Sequence, residues 1–216
     1  MLCLQTTQQL IRLGGAPLKV IGPKPIGDIT EKLFGSEGVF ATDLTARTQN
    51  KGSQEVWVER GGTLPRPWPE PKITEVEPGF IYEGEGWTLS SCRAPHAQPH
   101  LTCMAFKVES SGKSIVYTGD SALCPEVEEL ANGADLLLHW CYRLSSDEIN
   151  AFIRKMSPDP IEIGALAERC QVGQLLVTHL RTSMDTDEAR EQILAEMQRE
   201  FSGGSAIAED LMEIQL

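Results

Sequence analysis

The side chains with the clearest chemical potential are histidines and one aspartate placed where buried strands are predicted to end. His139 and His179 each close an apolar run, and Asp120 closes a third one. His96 lies in a proline-flanked stretch ahead of the strand that precedes Asp120. Imidazole and carboxylate ligands together suit borderline metals such as Zn²⁺, Mn²⁺ or Fe. Because α/β sheets present their sites at strand ends, the pattern predicts a metal site at a sheet rim.

Each of these residues also has a plainer interpretation when it is taken alone. Asp120 in Gly119-Asp120-Ser121 could simply cap a helix after a turn. A single histidine at a strand end, such as His139 before Trp140, could be structural or could support a site without binding metal. His100 follows Pro99 and is not predicted to be a ligand. The joint arrangement of His96, Asp120 and His179 therefore carries the metal hypothesis, in which the Asp120 carboxylate could point one oxygen at each of two ions.

Composition limits the classes of protein that fit. The 216 residues carry a net charge of −12 and a sequence pI near 4.8, which disfavours nonspecific nucleic-acid binding. The length predicts one domain over 1–216. No apolar run approaches the ~18 residues of a membrane span, and the first residues lack a signal-peptide pattern. Six cysteines without a C-x-x-C pair predict reduced thiols in a cytoplasmic protein.

The order of predicted elements is a strand-rich front followed by alternating helices and strands. A short helix over 4–13 is followed by a strand within 17–23. Asp28 is predicted to cap a helix over 29–34, and the four prolines of 61–72 indicate a surface loop. Further strands are predicted at 73–76, 80–83, 87–92, 101–109, 114–118, 134–139 and 174–179, with an edge strand at 212–216, and helices at 124–132, 146–155, 159–170 and 186–200. This pattern favours an α/β fold in which helices cover a sheet.

The segment from Ala94 to Leu180 resembles the metallo-β-lactamase superfamily, in its ribonuclease Z and arylsulfatase-like branch. The matching motifs keep their order and spacing over this stretch, and 17–23 and 43–47 are similar more weakly. They are Ala94-Pro95-His96, the strand 105–109, the segment 112–121 ending in Gly119-Asp120-Ser121, the segment 130–139 ending in His139, Ser157-Pro158 leading into 164–167, and 175–180 with His179.

The resemblance implies an αββα sandwich and a dinuclear zinc hydrolase, with Mn²⁺ or Fe as alternative metals. His96 would bind one metal, Asp120 would bridge both and act in catalysis, and His179 would bind the second. His139 would support catalysis beside the site. The expected reaction is attack by metal-bound hydroxide on a phosphodiester or ester of a small molecule. Nucleic acid is a further candidate substrate that the net charge does not favour, and no membrane association is expected.

The sequence departs from the family pattern at three places. The His-x-His-x-Asp-His motif, expected upstream of the helix at 4–13, is absent, so the chain is predicted to lack the N-terminal strands. His139-Trp140 stands where many members have His-Glu, and Lys155-Met156 replaces a histidine that could protonate the leaving group. Two alternatives remain: a truncated form of an active hydrolase, or a non-catalytic binding or scaffold protein that retains the fold. Missing strands would expose a sheet edge that a homodimer could cover.

Overall fold

The computed structural model describes residues 18–216 and divides into two compact units, one ending at Glu77 and the other beginning at Pro78. The helix predicted over 4–13 lies outside the described residues. The prediction of one domain over 1–216 remains a prediction. Each unit is therefore described separately.

Between residues 18 and 77, the first unit contains a two-stranded parallel sheet and three helices. Strand β1 (Lys19–Gly22) pairs with β2 (Lys72–Glu75), and between them lie α1 (Ile26–Phe34), α2 (Ala41–Gln49) and α3 (Lys51–Glu59). The predicted cap at Asp28 is wrong, because α1 begins at Ile26 and places Asp28 inside its first turn. There the carboxylate still complements the positive end of the helix.

The proline-rich segment before β2 is a loop, as predicted, and two indole groups hold it in place. The Trp57 Nε1 donates to the Thr63 carbonyl at 2.8 Å, and the Trp68 Nε1 donates to the Phe34 carbonyl at 2.7 Å. Trp57 is 5% exposed, so α3 contributes the main apolar anchor of this loop. The loop is thus fixed by two side-chain hydrogen bonds to backbone carbonyls.

The second unit is built on a seven-stranded mixed sheet whose strands are neighbours in chain order. From β3 to β6 the pairing is antiparallel, and from β6 to β9 it is parallel. Because β4 and β6 are both antiparallel to β5, they run in the same direction as β7, β8 and β9. The strands are β3 (Ile81–Gly84), β4 (Trp87–Arg93), β5 (Met104–Ser110), β6 (Lys113–Tyr117), β7 (Leu136–Trp140), β8 (Gln174–Thr178) and β9 (Gly204–Ile207).

Helices connect the parallel strands and supply one side of the main core. They are α4 (Pro125–Ala131), α5 (Ala151–Met156), α6 (Pro160–Arg169), a 3₁₀ turn (Thr182–Met184) and α7 (Asp187–Met197). Buried Ile163 and Leu166 of α6 share the core cluster with Ile193 of α7 and with Leu137 and Leu175 of the sheet. Across residues 18–216, no helix has the length and apolarity required to cross a membrane.

A fully buried arginine organises the connection from β7 to α6. The Arg143 Nη1 lies 2.8 Å from Asp159 Oδ2, its Nη2 lies 2.8 Å from Glu162 Oε2, and its Nε donates to the Ser157 carbonyl at 2.6 Å. Asp159 also caps α6 in a capping box with Glu162. One guanidinium therefore joins the strand exit to the first turn of the helix.

Two element predictions in this unit are wrong for local reasons. The last edge strand is β9 at Gly204–Ile207, and residues 212–216 form no strand. The pair Gly203-Gly204 favours a turn, but Gly204 opens the strand and pairs with Gln174 on β8. The helix predicted over 146–155 begins only at Ala151, behind an Asn150 cap. Ser145, which directly precedes the predicted helix, donates hydrogen bonds to the Glu196 carboxylate.

Candidate metal centre

The three predicted metal ligands meet at the carboxyl-end edge of the large sheet. His96 follows β4, Asp120 follows β6 and His179 follows β8, and these strands run in the same direction. Asp120 lies between the two imidazoles. Its Oδ2 is 3.9 Å from the His96 Nε2, and its Oδ1 is 3.8 Å from the His179 Nδ1. Each carboxylate oxygen therefore faces a different histidine.

His96 is held by the closed loop between β4 and β5. The Ala94 N–H donates to the Cys103 carbonyl at 3.0 Å and closes the loop. The Cys103 thiol then lies 3.3 Å from the His96 carbonyl. The predicted strand over 101–109 begins only at Met104 because residues 101–103 belong to this loop. The loop is also tied to the Asp120 turn, since the Ala122 N–H donates to the Pro95 carbonyl at 2.9 Å.

Asp120 is placed by the turn that ends β6. Gly119 has φ +59°, in the left-handed region that glycine adopts without steric cost. The Thr118 N–H donates to the Leu138 carbonyl at 3.1 Å, which keeps the turn aligned with β7. On the other side of Asp120, the Ser121 carbonyl accepts a 2.6 Å hydrogen bond from the Trp140 Nε1. The turn is thus anchored on both sides of the carboxylate.

His179 adopts an unusual backbone conformation for its residue type. Its φ is +60°, a region that non-glycine residues occupy at a cost of order 1–3 kcal/mol. The neighbouring Thr178 carbonyl accepts from the Cys141 N–H at 2.8 Å, which fixes the chain up to this point. The His179 side chain is 57% exposed. The strained backbone turns this imidazole toward Asp120 at an open edge of the sheet.

His139 faces the opposite side of its strand from the neighbouring Trp140. Strand alternation places it on the same face as Leu137, which belongs to the main core. Its ring is fully buried, and its Nδ1 donates to the Trp140 carbonyl at 2.7 Å, whereas its Nε2 is buried without a partner. Burial lowers the pKa of His139 to about 4. The predicted catalytic role of His139 is untested by this geometry and remains a prediction.

Trp140 forms a wall of the candidate centre together with Tyr142. Its ring centroid lies 5.5 Å from that of His96 and 6.0 Å from that of His179. Tyr142 stacks on Trp140 at 5.6 Å, and the Arg181 guanidinium lies 5.6 Å from the Tyr142 ring centroid. The sequence marked Trp140 only as a departure from His-Glu. The signal that could have identified this wall is the pair of aromatic residues Trp140 and Tyr142 at the end of β7, a strand between the two that carry Asp120 and His179.

The chemical types of the three candidate ligands fit a metal ion better than the distances between their donor atoms do. Two imidazoles and a carboxylate suit zinc, and the N–O separations of 3.8–3.9 Å exceed a hydrogen bond. Zinc bonds of about 2.0–2.2 Å to each atom would span such a gap only at a wide angle. In the part of the chain that the structure describes, no group of three or more His, Cys, Asp or Glu meets around one metal position. The arrangement therefore resembles two half-sites that share Asp120.

A cavity of about 480 Å³ opens beside His179 at the ends of β8 and β9. Arg190 crosses it, pairing with Asp185 at 2.9 Å and with Glu209 at 2.5 Å. These carboxylates already engage the guanidinium, so the cavity is not a simple anion site. Its size is within the usual range of about 300–1,000 Å³ for small-molecule pockets.

The buried His139 predicts a pH dependence of stability. Its neutral form is favoured in the folded protein, so the stabilisation is complete above the unfolded-state pKa near 6.5 and is lost as the pH falls to about 4. The difference corresponds to about 3 kcal/mol. Urea unfolding of the wild type and of His139→Leu between pH 7 and 4 should show a shallower pH dependence for the variant. His100→Leu, at an exposed histidine, should match the wild type; equal slopes for all three proteins would contradict the prediction.

Comparison with known families agrees with this architecture. The family described as "Beta-lactamase superfamily domain" matches residues 39–180, well over half of the chain. The chain therefore belongs to the metallo-β-lactamase superfamily, and its mixed α/β fold with one large sheet confirms the predicted fold class.

The relatives and solved structures that resemble the chain are consistent with that family. A ribonuclease Z from Mycobacterium tuberculosis is 27% identical over 208 residues, covering 93% of this chain and 70% of that protein. This similarity confirms the predicted ribonuclease Z branch. The metallo-β-lactamase fold protein YhfI from Bacillus subtilis superposes with a TM-score of 0.63 at 18% identity, covering 94% of this chain and 66% of that one. The short form of human tRNase Z superposes with a TM-score of 0.57 at 15% identity, covering 97% of this chain and 73% of that one.

Proposed function

We propose that the chain is a metal-dependent phosphodiesterase whose substrate class is RNA. The observation that carries the proposal is the position of Asp120 between two imidazoles. One of its carboxylate oxygens faces His96 and the other faces His179. Similarity to ribonuclease Z supports a phosphodiester substrate. Zinc is the proposed metal, with Mn²⁺ or Fe as alternatives, and its ligands would be His96, Asp120 and His179.

The roles proposed for the side chains follow from their positions. A metal bound here would polarise a phosphoryl oxygen and make water nucleophilic at neutral pH. Asp120 would hold the two halves of the centre at a fixed separation, because its turn is anchored on both sides. Trp140, which is buried and stacked with Tyr142, would exclude water from one side of the centre. The buried His139 would act by positioning the end of β7.

The cysteine residues support the proposed location of the protein. The five cysteines within residues 18–216 are free thiols. Burial raises the pKa of both the Cys92 and the Cys141 thiol to about 12, which makes them unreactive. Such thiols suit the proposed cytoplasmic location. The single functional domain and the homodimer also remain proposals.

Metal removal and restoration test the proposed function. The purified protein would be stripped with a chelator, and Zn²⁺, Mn²⁺ or Fe²⁺ would be added back separately. We expect bound metal, measured by elemental analysis, to return together with hydrolysis of bis(4-nitrophenyl) phosphate and of a short RNA. Absence of both metal binding and hydrolysis with every ion would refute the proposal.

One observation favours a second candidate, a non-catalytic binding protein. Trp140 places an apolar ring beside both imidazoles at the position where many members of the family have a glutamate. In the same experiment, this candidate predicts that metal returns while neither bis(4-nitrophenyl) phosphate nor RNA is cleaved.

A further inference from the structure

Three arginines line a single cavity in the first unit. The cavity measures about 380 Å³ and lies against α2 and α3 and the start of the proline-rich loop. We call it the arginine pocket. Its lining includes the guanidinium-bearing residues Arg47, Arg60 and Arg66, together with Asn50, Ser53 and Trp57.

Arg66 is held in a defined orientation inside this pocket. Its guanidinium carbon lies 5.1 Å from the centroid of the Trp57 ring, in cation–π geometry. Its Nη1 also donates to the Arg47 carbonyl at 3.2 Å. Trp57 itself is buried and bonded to Thr63. A guanidinium fixed in this way loses little further freedom when it forms a forked hydrogen bond to an anion.

Two neighbouring guanidinium groups, those of Arg47 and Arg60, repel Arg66. Burial lowers the pKa of Arg66, and the neighbouring Arg47 and Arg60 lower it further, while Asp43 acts in the opposite direction. Asp43 lies 2.5 Å from Arg47, so its charge is already shared. An anion placed among the three guanidinium groups would relieve this repulsion.

The acidic character of the chain is concentrated outside this unit. Residues 18–77 carry eight Lys and Arg against nine Asp and Glu, whereas 78–216 carry ten against twenty-two. Net negative charge therefore disfavours polyanion binding mainly in the second unit. The arginine pocket lies in the nearly neutral part of the chain.

We propose that the arginine pocket binds a phosphate group carried by a nucleotide or by single-stranded RNA. An arginine guanidinium can donate two parallel hydrogen bonds to two oxygens of one phosphate, and its plane can also stack on a base. The cavity volume is within the range of small-ligand sites. The pocket binds whether or not the chain cleaves phosphodiesters, so this inference does not depend on the hydrolase proposal.

The test is binding of a fluorescein-labelled short single-stranded RNA, followed by fluorescence anisotropy. It uses the full chain carrying Asp120→Asn, in chelator, so that cleavage cannot contribute. Arg60→Gln and Arg66→Gln are each added to this background. Arg66→Lys is added separately, because it keeps the positive charge but removes the paired hydrogen bonds of the guanidinium. Arg199→Gln is the matched control, because Arg199 is exposed in the second unit and the variant changes net charge equally.

We expect Arg60→Gln and Arg66→Gln to weaken binding about tenfold and to reduce the salt slope by about 0.7 per lost phosphate contact. Arg66→Lys should recover part of the affinity, and Arg199→Gln should bind like its parent. Competition by AMP indicates a free-nucleotide source for the phosphate, whereas resistance to AMP indicates a strand. Unchanged affinity and slope in both pocket variants, with normal thermal melting, overturn the inference even if the enzyme cleaves RNA.

Discussion

Replacing Asp120 by asparagine is expected to lower phosphodiester hydrolysis by at least about 10³-fold, which corresponds to ~4 kcal/mol of activation free energy. The substitution keeps the size of the side chain but removes the charge that faces His96 and His179. A neutral amide presents one oxygen, so it cannot offer an anionic oxygen to each half of the centre. Metal content of the purified variant should fall in parallel. The measurement is the initial rate of bis(4-nitrophenyl) phosphate cleavage, paired with elemental analysis.

The matched control for this substitution is Asp187→Asn. Asp187 is exposed in the first turn of α7, so the variant changes net charge equally without touching the candidate centre. It should retain wild-type rate and metal content. Should Asp120→Asn also retain both, Asp120 is not a ligand and the assignment of this centre is wrong.

Replacing Arg143 by methionine should lower the free energy of unfolding by about 3–5 kcal/mol, the usual cost of removing one member of a buried ion pair. The side chain is 1% exposed, and Asp159 and the Ser157 carbonyl would lose their main partner. Methionine fills a similar volume, so the loss should come from the unpaired polar groups. Urea unfolding at neutral pH measures the effect.

Two further variants isolate the cause of that loss. Arg169→Met breaks an exposed pair with Glu128 and should cost less than about 1 kcal/mol. Adding Asp159→Asn to Arg143→Met removes the uncompensated charge and should recover part of the stability. A loss for Arg143→Met no larger than that for Arg169→Met would contradict the role assigned to the buried guanidinium.

The positions of the candidate ligands could be predicted from sequence because they follow strand ends. Apolar runs that stop at Asp120 and His179 are a direct signal of buried strands. A shared strand direction then brings these residues to one edge. Which of His139 and Trp140 faces the candidate centre could not be predicted. Adjacent strand residues point to opposite faces, and only the packing of β7 decides which face meets the core.

Elements stabilised by distant contacts were harder to predict. Helix α3 was not predicted, because it contains Gly52 and the β-branched Val56 and Val58, which are weak helix formers. Its buried Trp57 anchors it against the loop that follows. Strand β9 was missed similarly, because Gly203-Gly204 gives a turn signal that pairing with β8 overrides.

The change from antiparallel to parallel pairing at β6 has a consequence for the order of folding. Strands β3 to β6 pair with immediate neighbours through short connections, whereas each parallel pairing beyond β6 requires a helical crossover. Pairing between strands joined by short connections loses less chain entropy. The antiparallel meander of β3 to β6 is therefore expected to form before β7 to β9 dock. His179 follows β8 and therefore lies after the crossover that joins β7 to β8. Its approach to Asp120 therefore belongs to the late stage of folding, and an intermediate that stops at the meander contains no assembled centre.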